Sequence, residues 1–475
     1  MAELNRREFI KRAASAGAAF SFLQCGRESR KPNFILILAD DLGYGDLGTY
    51  GQEKIKTPVL DRMASQGVRF TQFYAGSTVC APSRSALMTG QHTGHTRVRG
   101  NALVPLEPQD MTIAEILHQA GYTTALIGKW GLGEEGSTGE PRKKGFDYFF
   151  GYLNQVHAHN YFPHYIWRNE EKIPLRNKVV FEQEGYAKGV GSAAVERLDY
   201  VPDLMIEEAE KFIADHAEEP FFLFFSTTIP HANNEYYLSG AEHGMEIPDY
   251  GIYADYDWPE AQKAHAAMIS LLDQHVGRIV EKVRQLGIEQ DTFIFFSSDN
   301  GPHREGGFSP EFSRSSGGLR GIKRDLYEGG IRVPMIAYAP RRIAGGRTIE
   351  TPFALWDILP TLTDLAGIAA PSGIDGISFA TALLGNEKAQ RHHDFLYWEF
   401  HEGLASQQAV RWGKWKGIRH DPNGAVELYD LSIDSGESRN VAAEHPDVVQ
   451  AIVDMMQRAR TESKEWPLRT AIKQG

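Results

Sequence analysis

The sequence predicts an α/β sandwich, with a large, mostly parallel central sheet flanked by helices and then a small antiparallel sheet carrying a helix. Three observations carry this reading. Four unbroken apolar runs, at 34–39, 123–127, 221–225 and 292–296, have the length and texture of strands buried on both faces. Helical patterns separate them, as in a sheet built from β-α-β units. Beyond about residue 391 the apolar pieces shorten and turn signals crowd between them.

The 475 residues suffice for one large α/β domain with an appendage. With 42% hydrophobic and 24% charged residues, a disordered chain and a polytopic membrane protein are excluded. Against 50 basic residues stand 62 acidic ones, a net charge of −12, which argues against a nucleic-acid binder. An anionic small substrate stays open, because a bound cation inverts the local field.

Residues 1–30 read as an export address rather than as structure: a charged start, then a short apolar run at 13–23. That run is too short to span a bilayer, so no transmembrane segment is expected. Arg6-Arg7-Glu8-Phe9-Ile10-Lys11 resembles a twin-arginine signal, with Asn5 where Ser or Thr is usual. This implies the export machinery as a partner and a periplasmic or extracellular location. A basic tail on a cytosolic protein is the alternative. Cys25 follows Phe22-Leu23-Gln24, a poor match to a lipid-attachment site, and a lipid anchor there is a further alternative. Removing the segment leaves Cys80 as the one cysteine of the body, which excludes a disulfide framework.

Between the strands, 112–120 reads as a short helix opened by Thr112 as N-cap and closed by Gly121. A longer helix is predicted over about 259–286, with Ala264, Met268, Leu271, Leu272, Val276, Ile279, Val283 and Leu286 on one stripe. Near the C-terminus, 395–400, 409–411, 415–418 and 427–429 are strand-like pieces joined by turns such as Asp421-Pro422-Asn423-Gly424, and a helix over 446–460 comes after them.

The residues with chemical capability lie just beyond the long strands. The first strand runs into Asp40-Asp41, the second into Gly128-Lys129, the third leads to Pro230-His231 and the fourth to Asp299-Asn300. Open α/β sheets bind ligands outside the carboxyl ends of their strands, so the four ends predict one convergent site. Each alone reads equally well as a turn or cap. In Cys80-Ala81-Pro82-Ser83-Arg84, Pro82 suits the first turn of a helix that Gly90 ends, which places Cys80 at the helix N-terminus. A lone cysteine is otherwise most often a buried structural residue.

Cys80-Ala81-Pro82-Ser83-Arg84 with Thr89-Gly90 resembles the signature of the type I, formylglycine-dependent sulfatases. Leu38-Ala39-Asp40-Asp41-Leu42-Gly43-Tyr44-Gly45-Asp46, Gly128-Lys129-Trp130, Ser298-Asp299-Asn300-Gly301 and Tyr327-Glu328-Gly329-Gly330-Ile331-Arg332 are similar to further landmarks of that family, in family order, as is the late Glu427-Leu428-Tyr429-Asp430. The resemblance implies an alkaline-phosphatase-like sandwich, with a catalytic domain over 31–388 and a small α+β subdomain over 389–475. It implies that a separate maturase oxidises Cys80 to Cα-formylglycine, whose hydrated aldehyde is the nucleophile. It implies Ca²⁺ held by Asp40, Asp41, Asp299, Asn300 and the modified Cys80, and hard oxygen ligands fit that ion. Arg84 matches the arginine that fixes the hydrated aldehyde, and Lys129 and Lys323 match lysines that contact the sulfate. His231 matches the histidine near the leaving oxygen and is the first choice for general acid.

One departure stands out. Many members carry Gly-Lys-Trp-His-Leu-Gly, but the stretch here is Gly128-Lys129-Trp130-Gly131-Leu132-Gly133. The missing histidine usually lies beside the formylglycine. His157 or His159 is a candidate replacement, and Lys129 or water is the alternative.

The implied reaction is hydrolysis of a sulfate ester. Loops bearing Tyr161, Phe162, Tyr165, Trp167, Tyr236, Tyr237, Tyr250, Tyr253, Tyr256 and Trp258 suit sugar rings, and export favours a sulfated glycan as substrate, with small aryl sulfates also accepted. Two rivals are a phosphoester hydrolase of the same superfamily and a catalytically silent glycan-binding homologue. Intact Cys80 and Arg84 speak against both.

Overall fold

The structure, a computed structural model, describes residues 30–471. The export-signal, twin-arginine and Cys25 readings lie outside the described residues. Within them no helix is long and apolar enough to cross a membrane.

In chain order the strands are β1 (Asn33–Ala39), β2 (Val68–Phe70), β3 (Phe73–Tyr74), β4 (Thr123–Lys129), β5 (Tyr148–Tyr152) and β6 (Tyr165–Arg168). Next come β7 (Glu171–Pro174), β8 (Lys178–Phe181), β9 (Ser192–Glu196), β10 (Phe221–Ser226), β11 (Thr292–Ser298) and β12 (Met335–Tyr338). The last are β13 (Arg347–Ile349), β14 (Phe353–Ala354), β15 (Leu396–Phe400), β16 (Gln407–Trp412), β17 (Trp415–Arg419) and β18 (Glu427–Asp430). Ten form the central sheet in the order β13-β2-β12-β11-β1-β10-β4-β5-β6-β7. Its middle, β11-β1-β10-β4-β5, is parallel throughout.

The apolar runs are strands because both of their faces are covered. On β1, Phe34, Leu36 and Leu38 enter one core while Ile35, Ile37 and Ala39 enter the other, the alternation a pleated strand imposes. Helices α1 (Pro58–Gln66), α2 (Cys80–Thr89), α3 (Ile113–Gln119), α4 (Val201–Asp215), α5 (Glu260–Gln285) and α6 (Ile358–Leu365) pack on the two faces. α3 carries the N-cap expected at Thr112, completed into a capping box by Glu115. On α5 the stripe from Ala264 to Val283 is buried, but Leu271 is half-buried at its edge and Leu286 is an exposed C-cap residue.

The second sheet, β15-β16-β17-β18, is antiparallel, and α7 (Pro446–Arg458) packs on it through Ile452, Met455 and Met456. It docks on the main body through a buried ion pair. Lys416 Nζ lies 2.9 Å from Glu328 Oε1, and the Tyr74 hydroxyl donates to Glu328 Oε2 at 2.9 Å.

Candidate active site

β11, β1, β10 and β4 are neighbours running in one direction, so Asp299-Asn300, Asp40-Asp41, the 227–231 segment and Lys129 meet at a single edge. The N-terminus of α2 enters the same edge. Cys80 is its first residue, and Gly90 closes it in the left-handed conformation at φ 68°. All ten residues of α2 are buried. Its polar side chains are satisfied inside: Ser83 Oγ accepts from Gly76 N–H at 3.0 Å, and Ser85 Oγ lies 2.6 Å from Thr96 Oγ1.

The residues expected around a metal come together. Asp40, Asp41, Asp299 and Asn300 are fully buried, and Cys80 nearly so. Cys80 Sγ donates to Asp40 Oδ1 at 3.3 Å, and Asn300 Nδ2 to Asp41 Oδ1 at 2.7 Å. Asp41 has φ 65°, a left-handed backbone that costs a non-glycine residue about 1–3 kcal/mol. Its N–H donates to Asp299 Oδ1 at 3.1 Å and helps to hold it there.

Cations fill the spaces between these carboxylates. Arg84 donates to Asp299 Oδ2 through Nη2 at 2.8 Å and to the Lys129 carbonyl through Nη1 at 2.8 Å. Lys129 Nζ lies 2.6 Å from Asp40 Oδ2. Lys323 Nζ donates to Asp41 Oδ2 at 2.8 Å and to Glu305 Oε2 at 3.0 Å, and lies 3.1 Å from His231 Nε2. His231 Nδ1 sits 2.7 Å from the Ala232 carbonyl, which assigns its proton there and leaves Nε2 to accept from Lys323.

Burial alone would raise the Asp40 carboxyl, but Lys129 above all, with His231, Arg84 and Lys323, holds it well below the usual range. Asp299 moves the other way, to about 7, through burial and the repulsion of Asp40. Burial and then Lys323 depress His231 to about 3. Burial and Asp40 push the Cys80 thiol well up, so as encoded it is a protonated thiol and not a thiolate nucleophile. Asn300 Oδ1 is buried without a hydrogen-bond partner. An orphaned carboxamide oxygen beside mutually repelling carboxylates is a donor set that fits a hard divalent cation such as Ca²⁺. The ligand atoms of Asp40, Asp41, Cys80 and His231 all lie within 4.8 Å of one another.

A cavity of about 470 Å³ opens from this floor, lined by Cys80, Lys129, His231 and Lys323. His159 lines it too, stacked on His231 with ring centroids 4.8 Å apart and paired with Glu235 at 3.0 Å. His157 is not brought to it. That ring packs against Tyr152 and Tyr165, with centroids 5.1 and 4.4 Å away. Gly131 has φ 78°, and a Cβ there would lie 2.7 Å from Gln155 Cγ, so Gln155 closes the position to a side chain.

Most of the aromatic residues expected to serve sugar rings serve packing instead. Tyr161, Phe162, Trp167 and Tyr253 are buried in the core, and Tyr250 lines a separate cavity, whereas Tyr237 does line the Cys80 cavity. Sequence reasoning missed Glu305 and the buried His303, although Pro302-His303 comes directly after the Asp299 strand end. It also missed Glu402, which reaches the cavity from the loop after β15 and carries no local signal.

Fold and site together define a hydrolase of the alkaline-phosphatase-like α/β class, with a cysteine at a helix N-terminus facing carboxylates, lysines and a histidine. The chain belongs to the Sulfatase family, whose profile matches residues 32–368. The profile of the N-sulphoglucosamine sulphohydrolase C-terminal region matches 322–465. The chain is 32% identical to arylsulfatase A of Homo sapiens, covering 89% of this chain and 87% of that protein. It is 30% identical to an N-acetylgalactosamine-6-O-sulfatase of Bacteroides thetaiotaomicron, covering 92% and 94%. The solved structure of Ps i-CgsB with k-i-k-neocarrahexaose superposes with a TM-score of 0.76 at 24% identity, covering 93% of this chain and 96% of that one, and so shares the fold.

Proposed function

We propose that this sulfatase removes sulfate from a sulfated carbohydrate, and from small aryl sulfates, at a formylglycine formed from Cys80 beside a Ca²⁺ ion. The observation that carries the reading is Cys80 on the floor of an open cavity, among buried carboxylates and the Lys129, Lys323 and His231 side chains that line the same cavity. The kinship with a glycan sulfatase and an arylsulfatase supports the substrate class.

Asp40, Asp41, Asp299 and Asn300 would hold the Ca²⁺, which when bound supplies charge stabilisation for the sulfate oxygens and for the nucleophile. Modified Cys80 would supply a pair of geminal hydroxyls, one to attack sulfur and one to allow sulfate release. Arg84, fixed by Asp299 and the Lys129 carbonyl, orients residue 80. Lys129 and Lys323 bind the sulfate oxygens and offset the charge that develops there. Lys323 Nζ donates to His231 Nε2 at the cavity wall, so the proton for the departing alcohol oxygen rests on Lys323 and reaches Nε2, the general-acid atom, along that hydrogen bond. Release of sulfate needs a base; the contacts of His159 with Glu235 and His231 support it in that role, with Lys129 or water as the alternative. The twin-arginine-like start supports export to the periplasm or beyond.

Mass spectrometry across Cys80, on protein from a host with the maturase, tests the reading. Conversion lowers the mass by about 18 Da and abolishes alkylation. Aryl-sulfate turnover should accompany that species and vanish in Cys80→Ala. A chain that keeps its thiol beside a competent maturase is not a formylglycine enzyme, and glycan binding then becomes the function to pursue.

A further inference from the structure

Resting on the sulfate-ester reading, we propose that the outer part of the Cys80 cavity takes an uncharged sugar, so that the substrate is singly sulfated and a second anionic group nearby is rejected. The cavity has two electrostatic halves. Its floor is basic, with Lys129 and Lys323. Its mouth is acidic on balance, with Glu182, Glu184, Glu235 and Glu402 set against a single arginine, Arg324, among the lining residues.

These carboxylates differ in compensation. Glu235 pairs with His159, and Glu402 lies 3.3 Å from Arg324, a side chain already bound to Glu305 at 2.6 Å. Glu182 and Glu184 sit on the connection between β8 and β9. Glu182 accepts from the Tyr237 hydroxyl and from the N–H groups of Gln183 and Glu184. These bonds hold its carboxyl below its ordinary value, so it is ionised at neutral pH. Among the described residues neither Glu182 nor Glu184 is paired with a Lys or Arg.

Two tyrosines complete the mouth. Tyr186 is 65% exposed and Tyr237 57% exposed, and both line the cavity. Exposed aromatic faces beside carboxylate acceptors match a neutral pyranose, which presents an apolar C–H face and donating hydroxyl groups at its rim. A second sulfate or a uronate would set like charges against Glu182 and Glu184, and such juxtaposition works against the wrong partner even where attraction elsewhere is unchanged. Because the mouth is open to solvent, this discrimination weakens as salt rises.

The test compares kcat/KM for three groups of substrates on the formylglycine-bearing protein. They are a small aryl sulfate, a set of hexosides singly sulfated at each position, and the same hexosides carrying an added carboxylate or second sulfate. At low salt the best singly sulfated hexoside should exceed its doubly anionic counterpart by about tenfold or more. High salt should narrow that gap, and so should Glu182→Gln with Glu184→Gln, each ratio being referred to the aryl-sulfate rate of the same protein. Equal or faster turnover of the doubly anionic sugars overturns the inference, as does a ratio that the double variant leaves unmoved, or failure of every singly sulfated hexoside while the aryl sulfate is hydrolysed. Failure on the aryl sulfate itself overturns the sulfatase reading, and this inference with it.

Discussion

Lys323 binds Asp41, Glu305 and the Nε2 of His231 at once, so the proton that a leaving alcohol needs is held between two side chains. His231→Ala should therefore lower kcat on sugar sulfates by about 10²–10⁴, the usual range for a general acid, and far less on an aryl sulfate whose phenolate leaves unaided. Parallel losses on both substrates, measured by steady-state kinetics, would speak for a structural role instead. Gly131 marks a second residue-scale constraint. Gly131→His places a Cβ 2.7 Å from Gln155 Cγ at φ 78°, so the variant should lose about 1–3 kcal/mol in urea unfolding, and shortening Gln155 should recover part of it. Asp46 supplies a pH effect. It is fully buried and accepts from Gly43 N–H at 2.8 Å, and burial raises its carboxyl from 3.8 to about 7. The folded chain thus binds this proton more tightly than the unfolded one. Its contribution to stability is full below the ordinary value and is lost as pH climbs through about 7, about 4 kcal/mol at most. Thermal melts from about pH 5 to about pH 8 should show wild type falling relative to Asp46→Asn; parallel curves would contradict the assignment.

Legibility of the elements tracks how one-sided their burial is. β1, β4, β10 and β11 are visible in the sequence because parallel strands covered on both faces must be apolar along their whole length. α5 is visible because only one stripe of it is buried. α2 shows no stripe: every residue is buried and its polar side chains are satisfied by Gly76 and Thr96, partners that chain order does not announce. Only Pro82 and Gly90, the punctuation at its two ends, mark its place. The short strands β7, β8 and β9 escape for the opposite reason, since they are partly exposed and their apolar runs are at most three residues long, as in Val179-Val180-Phe181. The junction of the two sheets is equally silent. Lys416, Glu328 and Glu437 are buried together, with Lys416 Nζ 3.5 Å from Glu437 Oε1. Lys416→Met would strand two carboxylates, and should cost about 3–5 kcal/mol in denaturant unfolding, whereas a variant that also neutralises Glu328 should recover part of the loss. An unchanged midpoint for Lys416→Met would exclude this pair as the dock of the small sheet.

For the whole molecule, the donor set at the strand ends predicts that Ca²⁺ binds the native chain and not the unfolded one. Chelation should lower the melting temperature, and added Ca²⁺ should restore it by about 2.7 kcal/mol at a hundredfold excess over its Kd. Cys80→Ala should keep most of that shift, because four oxygen-bearing side chains remain; a melting curve indifferent to Ca²⁺ would exclude a cation there. This measurement separates metal binding from turnover. The chain itself wrote out the strands and the polar residues at their ends, because these depend on local pattern: period, punctuation, and residue type at a strand end. The motif order, and the grouping of Cys80, Arg84, Lys129 and His231 with the acidic pairs, were legible only through the resemblance to the sulfatases. Folding alone settled which side chains share a space. His159 reached the cavity and His157 turned into an aromatic packet two residues away, since a single turn of the backbone aims them differently. Gln155 came to close Gly131, Glu402 and Tyr186 arrived at the cavity from other parts of the chain, and Glu305 arrived against Lys323. Charge balance in a buried site is a sum over neighbours in space, and neighbours in space are fixed only when the sheet and its loops close around them.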